Sequence, residues 1–323
     1  GLGGNPFTGM PDTGATVFAI QQDRNGVLWV GGAGGLYHLE PDSQALTRSP
    51  DWQLVEDLAE NIDGRLWVTD VDGLYLLDPE TSQRNLVGPM VQSVFAIHVD
   101  TRGDVWVGAS DGLWRIDRTS GSVGHYQHDP NDSTSLGDNN VFALLEDHAG
   151  RLWVGTLGGL DLFDPERNRF VHYRYDPSDP DSLGEDNVFS LFEDRSGVLW
   201  IGTNGGLSKY SWTANRFTLY RRLPDVIPET MAANTGRPLE TSGLQSLSSE
   251  RVMAVHEDRQ GILWVGMYNG GLNRLDRSAG TLTVYRYDPA DPNSLSSDTV
   301  REIYEDRSGT LWVGTEMGLN QFE

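Results

Sequence analysis

Short apolar runs alternate with polar turn formers along the whole chain, and the alternation repeats. A tryptophan within Leu-Trp-Val-Gly or a near copy stands at Trp29, Trp67, Trp106, Trp153, Trp200, Trp264 and Trp312. A Gly-Leu pair follows each, starting at Gly35, Gly73, Gly112, Gly159, Gly206, Gly271 and Gly318. A turn of the form Asp-x-x-Gly precedes it, as at 23–26 and 194–197, and a valine opens each unit: Val17, Val55, Val94, Val141, Val188, Val252 and Val300. The second copy departs, with Asn61 for the aspartate and Thr69 for the glycine after Trp-Val. Self-similarity of this kind outweighs any single segment as evidence of fold.

Each unit reads as four short strands, at 188–193, 198–202, 206–210 and 216–220 in the fifth copy. They are rich in β-branched and aromatic residues, bounded by Gly, Asp and Asn, and too short for ordinary helices. The first strand is apolar at consecutive positions, as at 141–145, so both its sides are expected to be covered. Four strands per unit and seven units predict an all-β fold, a seven-bladed β-propeller of four-stranded antiparallel blades, with 1–323 as a single domain. The tryptophans fit a packing ring between blades rather than a ligand site. The last unit stops after three strands, while Phe7-Thr8 stands before Asp23 at the spacing of an outer strand. Residues 1–14 are therefore expected to close the ring, with 5–9 laddering onto 319–322.

Composition narrows the function. The chain has 323 residues, 24 basic against 47 acidic side chains, a net charge of −23 and no cysteine. Such charge repels nucleic acid and anionic membranes, so neither is expected to touch this domain. The lack of cysteine excludes disulfides, thiolate metal sites and a cysteine nucleophile. No apolar run reaches the length of a membrane span, which places any signal peptide or anchor outside these residues. The seven histidines are scattered, and no zinc-protease, nucleophile-elbow or Walker motif occurs. Neither a catalytic residue, a metal nor a cofactor is expected.

The connections into units 4, 5 and 7 are long Asp-Pro loops such as 175–183, and that into unit 6 carries the insertion 221–247. On a propeller these share a face with the loops between second and third strands, making a wall over one side of the channel mouth. The acidic spacing of Asp176, Asp179 and Asp181 offers oxygen ligands to calcium but does not follow the EF-hand order, and Pro, Asp and Ser alone make ordered polar turns. Candidate ligand contacts at this mouth are Asn140, Asn187 and Arg251, just before first strands, and Glu56 and Arg301, which interrupt a set of Phe18, Phe95, Phe142, Phe189 and Met253. For these two, an exposed tip or an ion pair competes with ligand contact. Asn204, Tyr268, Asn269 and Glu316 come from the second-to-third loops, and Trp52, in a short connection, is expected as an exposed stacking platform. Amide, hydroxyl and guanidinium groups among aromatic rings suit sugar hydroxyls or a carboxylate.

The unit V-x-x-[IL]-x-E-D-R-x-G-x-L-W-V-G-T-x-x-G-L, seen at 188–207 and 300–319, resembles the two-component regulator propeller repeat. The Asp-Pro-x-Asp-Pro-x-Ser-Leu connections at 176–183 and 288–295 are similar to that family's inter-repeat loop. The resemblance implies a periplasmic sensor region, lying before a membrane span and a histidine kinase or diguanylate cyclase. Several such propellers sense oligosaccharides, and many relatives carry two propellers and a β-sandwich. It supplies no ligand motif to transfer. The expectation is a non-catalytic, extracytoplasmic ligand-sensing domain of a signal-transduction receptor. It would bind a glycan or other small polar ligand at the loop-rich face, and a homodimer would form through the receptor. The alternatives are a protein-interaction scaffold docking through 221–247 and a streptogramin-lyase-like enzyme.

Overall fold

Residues 7–9, 15–41, 46–87, 93–212, 216–220 and 246–322 are described by the structure, a computed structural model of the chain. It is a seven-bladed β-propeller of four-stranded antiparallel sheets, with no helix among the described residues. The first, innermost strands of blades 1 to 7 are Val17–Gln22, Leu58–Glu60, Val94–Val99, Val141–Glu146, Val188–Glu193, Val252–Glu257 and Val300–Glu305. In blade 5 the others are Leu199–Thr203, Gly206–Ser211 and Arg216–Tyr220. Blade 7 takes its outer strand from the other end of the chain: Phe7 lies opposite Phe322, Thr8 opposite Gln321 and Gly9 opposite Asn320.

The repeat's spacings have physical causes. The seven repeat tryptophans are all buried, in cores shared between adjacent blades. Trp153 of blade 4 packs with Leu183, Val188 and Leu199 of blade 5, and Trp264 of blade 6 with Leu295, Val300 and Leu311 of blade 7. An indole buried this way needs an acceptor for its N–H. The turn aspartate six residues earlier supplies it in six blades: Asp23, Asp100, Asp147, Asp194, Asp258 and Asp306 accept from Trp29, Trp106, Trp153, Trp200, Trp264 and Trp312 at 2.7–3.1 Å. The other carboxylate oxygen of Asp147 accepts the backbone N–H groups of Ala149 and Arg151, which pins the turn. Burial pushes Asp194 upward, but bonds from Ser196, Trp200 and Arg277 outweigh it and hold the carboxyl at about 2.

The glycine after Trp-Val and the valine of the next unit form one contact. A Cβ on Gly155 would stand 2.6 Å from Val188 Cγ1, and one on Gly108 would meet both Val141 Cγ1 at 2.6 Å and its carbonyl oxygen at 2.8 Å. Only a bare Cα lets neighbouring blades approach so closely. A polar clasp repeats at the far rim, where the residue after each turn aspartate donates its backbone N–H to the last side chain of the next blade's first strand. The pairs are Arg24–Glu60, Thr101–Glu146, His148–Glu193, Arg195–Glu257, Arg259–Glu305 and Arg307–Gln22.

Blade 2 breaks all three rules. Trp67 Nε1 is buried without a partner among the described residues, Asn61 turning its amide to Asp63 instead. Thr69 replaces the glycine, and its Oγ1 takes the backbone N–H groups of Glu56 and Asp57. The clasp toward blade 3 would fall on Ile62 and Val99, which have no side-chain acceptor to offer.

The Asp-Pro connections are ordered by their own side chains. Asp176 Oδ1 accepts from Ser178 N, Asp176 N donates to Ser182 Oγ, and Leu183 is buried between blades; the loops at 129–136 and 288–295 repeat the serine bond and the buried leucine. Of the insertion 221–247, only Ser246 and Leu247 lie within the described residues, as do only 7–9 of the proposed closing segment 1–14.

Candidate functional site

The seven first strands surround an axial channel, whose loop-side half is a cavity of about 500 Å³. Its upper ring is the second residue of each unit: Phe18, Glu56, Phe95, Phe142, Phe189, Met253 and Arg301. Phe95 stacks on Phe142 at 4.5 Å, and Phe142 meets Phe189 edge-on at 5.4 Å. Strand register slips between the first and third residues in six blades, as at Val141/Ala143 and Val300/Glu302. Such a bulge re-aims side chains, so the third residues also border the channel. This deeper ring is small at Ala19, Ala96, Ala143, Ser190 and Ala254 and acidic at Asp57 and Glu302. Asp57, Ile97 and Glu302 also border a second cavity of about 460 Å³ toward the far rim.

The charged groups of the upper cavity are held differently. Arg251 is fixed on three sides: Nε donates to Asn204 Oδ1 at 2.7 Å, and the guanidinium lies 4.8 Å from the Tyr268 ring and 5.4 Å from Phe189. Its terminal nitrogens meet no acceptor among the described residues. Arg301 is paired with Glu316 at 2.6 Å, while its Nε is buried and unpartnered. Asp57 accepts from the backbone of Leu58 at 2.8 Å and of Ile97, on blade 3, at 2.6 Å. Burial nevertheless pushes its carboxyl up to about 7. Burial, with the charge of Asp57 added, pushes Glu302 up to about 8, and burial also raises Glu56.

The structure gathers some candidates and disperses others. Glu56, Arg251 and Arg301 line the cavity; Asn204 and Tyr268 support Arg251, and Glu316 pairs with Arg301. Asn140 is held by Asp138, the carbonyl of Asn187 accepts from Asn204 N, and Asn269 bonds Thr299, so these three stabilise connections. Trp52 corrects the expectation of an exposed platform. It is only 3% exposed, packed edge-on against Tyr75 at 5.5 Å with the Arg84 guanidinium 4.9 Å from its ring. Its short connection folds inward, since an indole gains more by burial than by facing water. Asp57, Glu302 and Ser190 were absent from the candidate set. Tabulating the units one position deeper than Phe18 picks them out as the polar members of an alanine ring.

The molecule is thus a propeller with a prebuilt arginine and an acidic wall at the loop-side end of its channel. Five segments, 11–34, 135–158, 182–205, 246–269 and 294–317, match the family model of the two component regulator propeller. These five segments carry the repeat of that family. No curated protein matches the sequence. Among solved structures it is similar to the extracellular domain of BT4673 from B. thetaiotaomicron, described as a hybrid two component system, with TM-score 0.80 and 18% identity over 98% of this chain and 40% of that one. The corresponding domain of BT3049 gives TM-score 0.72 and 20% identity over 96% of this chain and 40% of the other. The chain therefore spans about two fifths of those domains. Virginiamycin B lyase from Staphylococcus aureus is similar over 98% of this chain and 97% of its own, at TM-score 0.65 and 14% identity.

Proposed function

We propose that this propeller is a non-catalytic sensing domain of a signal-transduction receptor, placed outside the cytoplasm, in the periplasm. A small polar ligand, such as an oligosaccharide, would bind in the loop-side cavity. The observation that carries this is Arg251. A guanidinium held by Asn204, Phe189 and Tyr268, with its terminal nitrogens unengaged among the described residues, is ready to receive an anion or a hydroxyl without reorganisation. The propeller repeats and the extracellular domains similar to it support the receptor role. Loops on a rigid scaffold support the placement of the site. Against a lyase, no histidine is among the residues lining this cavity. Ligand bound by several blades at once would favour one inter-blade geometry and so bias a domain attached to the chain. Calorimetry with a panel of oligosaccharides and other small polar compounds tests this. Saturable binding that Arg251→Ala weakens is expected, and binding indifferent to that change overturns the site.

A further inference from the structure

Within the sensing role proposed above, we infer that the channel ligand is amphoteric. Its anionic group meets Arg251 and its protonated amine meets the wall made by Glu56, Asp57 and Glu302, as in a dipeptide with free ends.

The three carboxyls lie in one cavity, yet none has a cation within ion-pair distance among the described residues. Elsewhere on the chain, acids at conserved repeat positions are consumed by turns, indoles and clasps. Here they occupy positions the repeat mostly gives to phenylalanine or alanine, so packing does not call for them. Breaks in local rules without a packing gain concentrate at functional sites.

The wall is also built, not merely charged. Thr69 Oγ1 holds the backbone of Glu56 and Asp57, and Asp70 Oδ1 accepts from Gln53 N and Leu54 N just before them. Asp57 is oriented by amides from two blades. Two residues of the lining, Ser190 and Arg301, also keep a buried polar atom, Oγ and Nε, with no hydrogen-bond partner among the described residues.

The chemistry excludes other occupants in turn. No group of three His, Asp or Glu side chains is placed to hold a metal ion among the described residues. A neutral sugar would leave the Arg251 guanidinium without a countercharge. An ammonium ion answers the acids with three donors, and the phenylalanine ring between the two poles adds apolar and cation–π contact. Glu56 and Asp57 on blade 2 stand three steps from blade 6, which carries Arg251, the greatest separation in a ring of seven, while Glu302 on blade 7 lies between them on the shorter arc. A volume of about 500 Å³ suits an occupant larger than a single amino acid. Since burial holds Asp57 at about 7 and Glu302 at about 8, docking the amine would ionise these two and release protons.

The test is calorimetry on the intact chain with alanyl-phenylalanine, its N-acetyl and C-amide derivatives, and a neutral disaccharide. The expected result is binding of the free dipeptide, weakened about tenfold or more by capping either end. Heats should vary with the ionisation enthalpy of the buffer, revealing proton release. Glu302→Gln should abolish the difference between free and acetylated amine, and Arg251→Ala that between acid and amide. No binding of the dipeptide at millimolar concentration, or equal affinity for the capped forms, overturns the inference. Disaccharide binding lost in Arg251→Ala but unmoved by Glu302→Gln would overturn it while leaving the sensing site intact.

Discussion

Blades 2 and 4 are made from the same unit and have separate tasks. In blade 4, Asp147 secures Trp153 and the turn, Gly155 admits Val188, and Phe142 and Ala143 give the channel an apolar wall. In blade 2 the indole of Trp67 has no acceptor, Thr69 fills the glycine position, and Glu56 and Asp57 replace the apolar pair. The departures are coupled in space: the threonine hydroxyl that occupies the blade contact also ties the backbone of the two acids. One blade gives up the regular interlocking by which the other six cohere, and in return presents charge to the axis.

Transplanting the threonine should have the largest effect. Gly108→Thr puts a Cβ against the Val141 carbonyl, which cannot yield as a side chain can, and should cost about 3 kcal/mol or prevent folding. Chemical denaturation measures this, and an unchanged midpoint would show that the glycine is dispensable. Asp147→Ala makes blade 4 resemble blade 2 by orphaning the Trp153 indole and two backbone amides, at about 2–3 kcal/mol. A cost within error would remove the buried bond as the reason for the six-residue spacing.

The acidic wall sets a pH dependence. Asp57 and Glu302 keep their protons in the folded chain up to about 7 and about 8, far above their unfolded values, so ionising them opposes folding. Stability from this source is intact below about pH 4, declines as pH rises, and is fully lost above about pH 8. Glu302→Gln should flatten the decline by about 1–2 kcal/mol between pH 5 and 8.5. An equally steep decline in the variant would place the titration elsewhere. The smallest effect should be a gain: Asn61→Asp offers Trp67 the acceptor its counterparts have and should stabilise the chain by about 0.5–1 kcal/mol, after the loss of the Asn61–Asp63 bond. A fall in melting temperature would mean that repulsion from Asp63 wins.

The fold was legible because its causes are local and repeated. An indole, its acceptor six residues earlier and the glycine that lets the next valine in leave a fixed spacing in any copy, so blade number and strand order follow by counting. The site was legible only in part. Arg251, Glu56 and Arg301 stand where the repeat alone places the channel mouth. Glu302 was missed because strict alternation sends every second side chain outward, whereas the slipped register turns two successive residues toward the axis; Asp57, at the same repeat position, stands just before the shortened inner strand of blade 2. Trp52 failed for the opposite reason: the loop's length told its face of the disc but not its inward fold.

The junction of the chain's two ends has a mechanical consequence. In blade 7, Phe7 sits opposite Phe322 and Gly9 opposite Asn320, so the strands depart from the pairing at the same end. Tension drawn through both strands at once would load their hydrogen bonds one after another, like a zip, whereas tension along one strand alone would strain them together. A force that parts the two strands from that end therefore meets their hydrogen bonds singly rather than as a set.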